Sequence, residues 1–259
     1  MIRQRISYGD SRSQFGHLYL PVADPASAAE GRPVPLVVVV HGGYWSTEFA
    51  LVVETPVARD LAARGAVVWN VEYRRVGEHG GGWPRTGYDV ANALSALDTS
   101  VRCALPVELA QRVAWDDVAV VGHSAGGQLA LWAVARLGAR TQTTRVRTVI
   151  LQAAATDLEA AGQRGHLALE RFIGAPYADT PHRYRDASPI RARVFDAHVV
   201  AIHGELDDAI DHRVSSAYVE SVRARGQSAE MVIVAGEGHD AFVDPNSRGH
   251  RETLRRLGI

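Results

Sequence analysis

Val118-Ala119-Val120-Val121-Gly122-His123-Ser124-Ala125-Gly126 carries a short apolar run into a G-x-S-x-G pentapeptide. Gln128-Leu129-Ala130-Leu131-Trp132-Ala133 leaves it as a helix-forming stretch. A buried strand entering and a helix leaving is the context a nucleophile elbow requires. The tight turn lifts a serine hydroxyl clear of the backbone, and small flanking residues make room for it. The helix that starts at Ser124 turns its positive end and its free N–H groups toward the place where negative charge would form on a bound carbonyl.

Outward from this point, β-rich runs alternate with helical patterns along the chain. Strands are expected at Ile2–Tyr8, Phe15–Leu20, Leu36–Val40, Val67–Tyr73, Val118–Val121, Val149–Leu151, Val199–Ile202 and Met231–Val234. The first two alternate apolar and polar residues, as edge strands wetted on one side do, whereas the others read as strands covered on both faces. Helical stretches are expected at Val53–Arg64, Tyr88–Asp98, Gln128–Leu137 and Val214–Arg225. This alternation predicts an α/β fold, one domain over residues 1–259, with a mostly parallel sheet of about eight strands and helices on both faces. Residues 156–197 contain no strand pattern, and a connection this long is expected to form a small lid or binding segment.

Composition narrows the function classes. The 259 residues are 46% hydrophobic, enough for a large core, and the formal net charge of −1 gives no electrostatic case for nucleic acid or an anionic membrane surface. All 28 basic residues are Arg, so Ser–Lys and Lys Schiff-base chemistry are excluded. The single Cys103 cannot form an internal disulfide. The N-terminal residues lack the apolar core of a signal peptide and no apolar run reaches membrane-spanning length, so a cytoplasmic protein is expected.

Three further motifs fall at strand ends. His41-Gly42-Gly43-Tyr44-Trp45 follows the run Leu36–Val40. A loop of this kind leaves backbone N–H groups unpaired, and those of Gly43 and Tyr44, with that of Ala125, are the expected oxyanion hole. His203-Gly204-Glu205-Leu206-Asp207-Asp208 follows the seventh strand. Among Glu205, Asp207, Asp208 and Asp211, position favours Asp207 as the carboxylate that orients a histidine, with Asp208 as the fallback; Asp157 is a more distant alternative that more often reads as a helix-start cap. Gly236-Glu237-Gly238-His239 follows the last strand, and a histidine on a glycine-flanked loop there can reach the serine as general base. Serine, aspartate, histidine in that chain order differs from the chymotrypsin and subtilisin orders.

On these residues the chain resembles the α/β-hydrolase-fold serine hydrolases. More narrowly, His41-Gly42-Gly43-Tyr44-Trp45 resembles the HGGxW box of the arylformamidase (kynurenine formamidase) and carboxylesterase branch. Glu72-Tyr73-Arg74 with Trp83-Pro84 and Asp89, and Ala187-Ser188-Pro189-Ile190, are similar to stretches of the same branch. The likeness runs from about Leu36 to Phe242. It implies Ser124 as nucleophile, Asp207 as acid and His239 as base, acting on a small ester or aryl formamide through an acyl-enzyme. Tyr44 stands where hormone-sensitive-lipase-like esterases carry a third glycine, and the short lid argues against bulky lipid substrates. Trp45, Trp83, Phe172, Tyr177 and Phe242 are expected to line an acyl or aryl pocket. No metal and no cofactor is expected, since His41, His123 and His203 each belong to another motif and no His-x-x-Glu-His spacing occurs. The expected partner is a small-molecule ester or amide, not nucleic acid or membrane. Peptidase-like or acyltransferase chemistry on the same three residues is the near alternative, and a ligand-binding receptor on a hydrolase scaffold is the alternative of another class.

Overall fold

The run Leu36–Val40 shows how the sheet is held: Leu36, Val38 and Val40 enter one core, and Val37 and Val39 enter a second on the opposite face. A strand with both faces covered belongs to the interior of a parallel sheet. The computed structural model describes residues 2–21 and 32–259. Its strands are β1 (Arg3–Ser7), β2 (Phe15–Tyr19), β3 (Val34–Val40), β4 (Val67–Val71), β5 (Val113–His123), β6 (Val146–Gln152), β7 (His198–Gly204) and β8 (Ala229–Val234). They form one eight-stranded sheet in the order β1-β2-β4-β3-β5-β6-β7-β8. β1 and β2 pair antiparallel, as do β2 and β4; every other pairing is parallel. Of the two strands expected at an edge, only β1 lies there, because β2 is hydrogen-bonded on both sides.

The helices are α1 (Thr55–Ala63), α2 (Arg85–Ser95), α3 (Ser100–Cys103), α4 (Val107–Ala110), α5 (Ala125–Leu137), α6 (Leu158–Gln163), α7 (Leu167–Ile173), α8 (Pro181–Ala187), α9 (Arg213–Arg223) and α10 (Arg248–Leu257). α1 and α10 cover one face through Ala58, Leu61 and Leu254. α2, α5 and α9 cover the other through Val90, Leu94, Leu129, Val134, Tyr218 and Val219. α5 is buried on almost every side from Ala125 to Val134, which is why its sequence is apolar all round rather than striped. It stops at Gly138, whose φ of 66° closes the helix in the left-handed conformation. The segment 156–197 folds into α6, α7, α8 and a 3-10 turn at Pro189–Arg191. Among the described residues no helix is long and apolar enough to cross a membrane.

Asp89 on α2 explains part of the Glu72-Tyr73-Arg74…Asp89 pattern in structural terms. Its buried carboxylate accepts from Arg74 Nε (2.8 Å), Arg74 Nη2 (2.6 Å), the Arg74 N–H (3.0 Å) and Gln14 Nε2 (2.7 Å). One side chain thus ties the end of β4 and the β1–β2 connection to α2. Removing one partner of such a pair leaves the other charge uncompensated. Asp89→Ala should therefore lower the unfolding free energy by about 3–5 kcal/mol in urea denaturation; a loss below about 1 kcal/mol would show the pair to be dispensable.

Candidate active site

Each candidate side chain sits where a parallel strand ends, on the edge of the sheet where open α/β folds bind ligands. Ser124 links β5 to α5 with φ 51° and ψ −120°, a conformation that costs a non-glycine residue strain. The flanking glycines make this turn possible. A Cβ on Gly126 would lie 2.2 Å from the carbonyl oxygens of Val40 and His41, and one on Gly122 would lie 2.7 Å from that of Gly126. The His-Gly-Gly loop therefore rests directly on the elbow.

Ser124 Oγ lies 3.0 Å from His239 Nε2, and His239 Nδ1 lies 2.7 Å from Asp207 Oδ2. His239 opens the 3-10 turn His239–Val243 after β8, and Asp207 follows β7. Asp207 Oδ1 accepts from the N–H groups of Ala209 (2.9 Å) and Ile210 (2.8 Å). Burial alone would raise this carboxyl's pKa; the hydrogen bonds from His203, His239 and Ile210 override it and hold the pKa far below the usual carboxylate range. The competing acids are engaged elsewhere. Glu205 accepts from the Gly236 N–H, Asp208 is exposed, Asp211 pairs with Arg213, and Asp157 caps α6 through the Ala160 N–H.

Gly43 has φ 108°, and a Cβ there would strike Phe49 at 2.3 Å, so only glycine fits. Tyr44 and Trp45 continue the loop at φ 55° and 57°. The N–H groups of Gly43, Tyr44 and Ala125 bond to no other group among the described residues. His41 behind this loop is held from several sides. Its Nε2 is 2.9 Å from Glu72 Oε1, its ring stacks on Tyr73 at 4.3 Å, and Tyr73 Oη donates to its carbonyl at 2.8 Å.

A cavity of about 550 Å³ opens above Ser124. Tyr44, Trp45 and Ala125 line it beside the serine; Leu158, Ala161 and Leu169 of α6 and α7, with Ile210, Val214 and Ala217, supply its walls. Of the five aromatics expected to line a pocket, only Trp45 does so. Phe172 stacks on Trp45 at 4.4 Å, and Trp83 meets Phe172 edge-on at 5.8 Å, so both lie behind the lining residue in the core. Phe242 is fully buried beneath the site near His123, and Tyr177 packs on Tyr184 at 5.4 Å within the 156–197 segment. Phe172, Trp83 and Phe242 are buried in packing and Tyr177 is half-buried away from the cavity, a distinction a sequence pattern does not carry.

Two supporting residues play parts that no local sequence pattern signals. His203 is fully buried, with Nε2 3.0 Å from Asp207 Oδ2 and 2.8 Å from the Ile210 carbonyl, and Nδ1 2.8 Å from Ser215 Oγ. The tautomer protonated on Nε2 donates toward Asp207 and leaves Nδ1 to accept from Ser215. Gln128 on α5 accepts from Trp45 Nε1 (3.0 Å) and donates to the Ala187 carbonyl (2.8 Å), joining the His-Gly-Gly loop, the elbow helix and α8. Among the described residues no three His, Cys, Asp or Glu side chains are grouped to hold a metal ion.

Residues 56–257 match the prolyl oligopeptidase family. The chain belongs to that family. Esterase LipC of Mycobacterium tuberculosis is 28% identical over 258 residues, covering 92% of this chain; this chain spans 59% of that protein. Among solved structures, esterase B of Lactobacillus rhamnosis superposes with a TM-score of 0.79 at 16% identity, covering 99% of this chain and 86% of that one. An esterase of the planctomycete Thermogutta terrifontis gives a TM-score of 0.72 at 18% identity, covering 99% and 92%. The sheet order and these likenesses make the fold that of the α/β-hydrolases.

The contact between Gly126 and the His41 carbonyl leaves no room for a methyl group. Gly126→Ala should destabilise the protein by about 3 kcal/mol through backbone displacement. Thermal unfolding measures it, and an unchanged midpoint would show that the elbow is looser than its geometry.

Proposed function

We propose that this protein is a serine hydrolase that cleaves small carboxylic esters through a covalent acyl-serine intermediate. The observation that carries this reading is the connected line Asp207 Oδ2–His239 Nδ1 at 2.7 Å and His239 Nε2–Ser124 Oγ at 3.0 Å, opening on the cavity. His239 takes the Ser124 proton as Oγ attacks the substrate carbonyl carbon. The Gly43, Tyr44 and Ala125 N–H groups hold the oxygen that becomes negative. Asp207 keeps the imidazole oriented and stabilises its cation, and His239 then delivers the proton to the leaving alcohol. Water, activated by His239, releases the acid and restores Ser124.

The apolar side chains of Leu158, Ala161, Leu169, Ile210 and Val214 in the cavity, beside the charged Asp157, Arg164, Asp211 and Arg213, support an uncharged acyl group seated against its apolar part. The relatives point the same way: they are named esterases, and the Thermogutta terrifontis enzyme is described with propionate and with butyrate bound. The His41–Trp45 box supports an aryl formamide as a second substrate, with attack at the formyl carbon by the same groups. Membership of the prolyl oligopeptidase family makes peptide hydrolysis the alternative, and a cavity walled by α6 and α7 favours a smaller substrate.

The test is hydrolysis of p-nitrophenyl acetate, butyrate and octanoate beside N-formylkynurenine and a prolyl p-nitroanilide peptide. Short esters should show the highest kcat/KM. A clear preference for the formamide or the anilide would reassign the substrate. Ser124→Ala should lose on the order of 10⁴-fold or more in kcat. Asp207→Asn should lose about 10³–10⁴-fold while Asp208→Asn changes little. Undiminished turnover by Ser124→Ala would remove the proposal.

A further inference from the structure

Glu54 is the N-cap residue of α1, yet its carboxyl makes no bond to the amides of that helix. It turns inward instead, is 1% exposed, and neither oxygen has a hydrogen-bond partner. A buried polar group left unpaired is costly, and in a native structure it calls for a reason. His123 faces it, with Nδ1 3.9 Å from Glu54 Oε1. His123 is itself buried, and its Nε2 lies 3.0 Å from the main-chain carbonyl of His239. The two imidazoles pack with ring centroids 4.9 Å apart.

These contacts fix the protons. Only an Nε2–H can face the His239 carbonyl, so Nδ1 of a neutral His123 carries a lone pair, and that lone pair faces Glu54. A carboxyl that keeps its proton is the matching donor across the 3.9 Å that separates Glu54 Oε1 from His123 Nδ1. We propose that Glu54 and His123 are positioning residues, in which the Glu54 hydroxyl orients His123 and His123 Nε2–H pins the His239 main chain so that its imidazole stays against Ser124. The inference rests on His239 serving as the base of the proposed hydrolase. The protonation that it needs agrees with the surroundings. Burial pushes the Glu54 carboxyl up to about 8, and burial, helped by the neighbouring His239, pushes His123 down to about 3. The other groups facing the pair are Tyr73, which feels the Glu54 charge, and Asp207 and His203, which face His123.

The test compares Glu54→Gln and Glu54→Met with the wild-type protein, using a short p-nitrophenyl ester and Ser124→Ala as control. Glutamine can still donate to His123 Nδ1 and should keep kcat within about twofold, whereas methionine fills the same apolar space without a donor. Glu54→Met should retain full thermal stability and lose about tenfold in kcat with KM little changed, as expected when a catalytic group is slightly misplaced. The wild-type kcat should also fall as pH passes about 8, where Glu54 loses its proton, and Glu54→Gln should lack that limb. The folded protein keeps this proton up to about pH 8 and the unfolded chain releases it near 4.5, so wild-type stability should decline as pH rises through that window and Glu54→Gln should not show the decline. A fully active Glu54→Met with an unchanged pH profile overturns the inference. Turnover that survives Ser124→Ala overturns the hydrolase reading beneath it.

Discussion

At the turn after β5, two stretches of backbone touch with nothing between them. Gly126 lies so close to the carbonyls of Val40 and His41 that even a methyl group is excluded, and Gly122 is confined in the same way by Gly126. This contact sets the distance between the serine turn and the His-Gly-Gly loop. The Ala125 N–H and those of Gly43 and Tyr44 come from different strands, and groups on separate loops hold a common geometry only if the loops are fixed to one another. Here the fixing is main chain on main chain, which has fewer ways to relax than a contact between side chains. The strain at Ser124, Tyr44 and Trp45 persists because the surroundings leave no alternative.

Around that contact, buried polar side chains act as struts. Glu72 accepts from His41 and from the Leu51 N–H, and burial alone would raise its pKa; its hydrogen bonds to His41 and Leu51 and the charge of Arg75 outweigh this and lower it. Gln128 plays the same part above the sheet, reaching Trp45 with one end of its amide and the α8 carbonyl of Ala187 with the other. Each satisfied group restricts the loop to one arrangement, because the alternative is an unpaired polar atom in an apolar interior. The segment that walls the cavity is thereby tied to the loop beside Ser124 through Gln128 and through the Trp45–Phe172 stack.

The strand ends and the order Ser124, Asp207, His239 are legible in the sequence because they depend on local chemistry: an apolar run, then a glycine, then a polar group. Periodicity also locates α1, α2, α5 and α9 to within a few residues, since each has an apolar stripe or is apolar throughout. α10 escapes that reading because Arg248, Arg251, Arg255 and Arg256 dominate it, and its buried side includes His250 and Thr253 with Leu254. The short helices α6 to α8 have too few turns to show a period. The pocket aromatics mislead for another reason: Trp45 and Phe172 are equally aromatic in sequence, and only their stacking order decides which one meets the cavity. The parts played by His203, Gln128 and Glu54 are illegible because each depends on a hydrogen bond, or the lack of one, to groups that only folding brings together.

Two carboxyls near His239 show how environment divides one functional group into two roles. Asp207 receives four donors, from His239, His203 and the N–H groups of Ala209 and Ile210, and these hold it charged. Glu54 receives none and is fully buried, and burial pushes its pKa up to about 8. The difference lies in the supply of N–H groups, not in the acids. A charged acceptor suits the imidazole side of His239, where a cation would form. A neutral donor suits His123, which has a lone pair to offer. Exchanging the two environments would place an uncompensated charge under the main chain of His239 and remove the anion that faces its ring, so the separation of the two pKa values belongs to the geometry that keeps the imidazole turned toward Ser124.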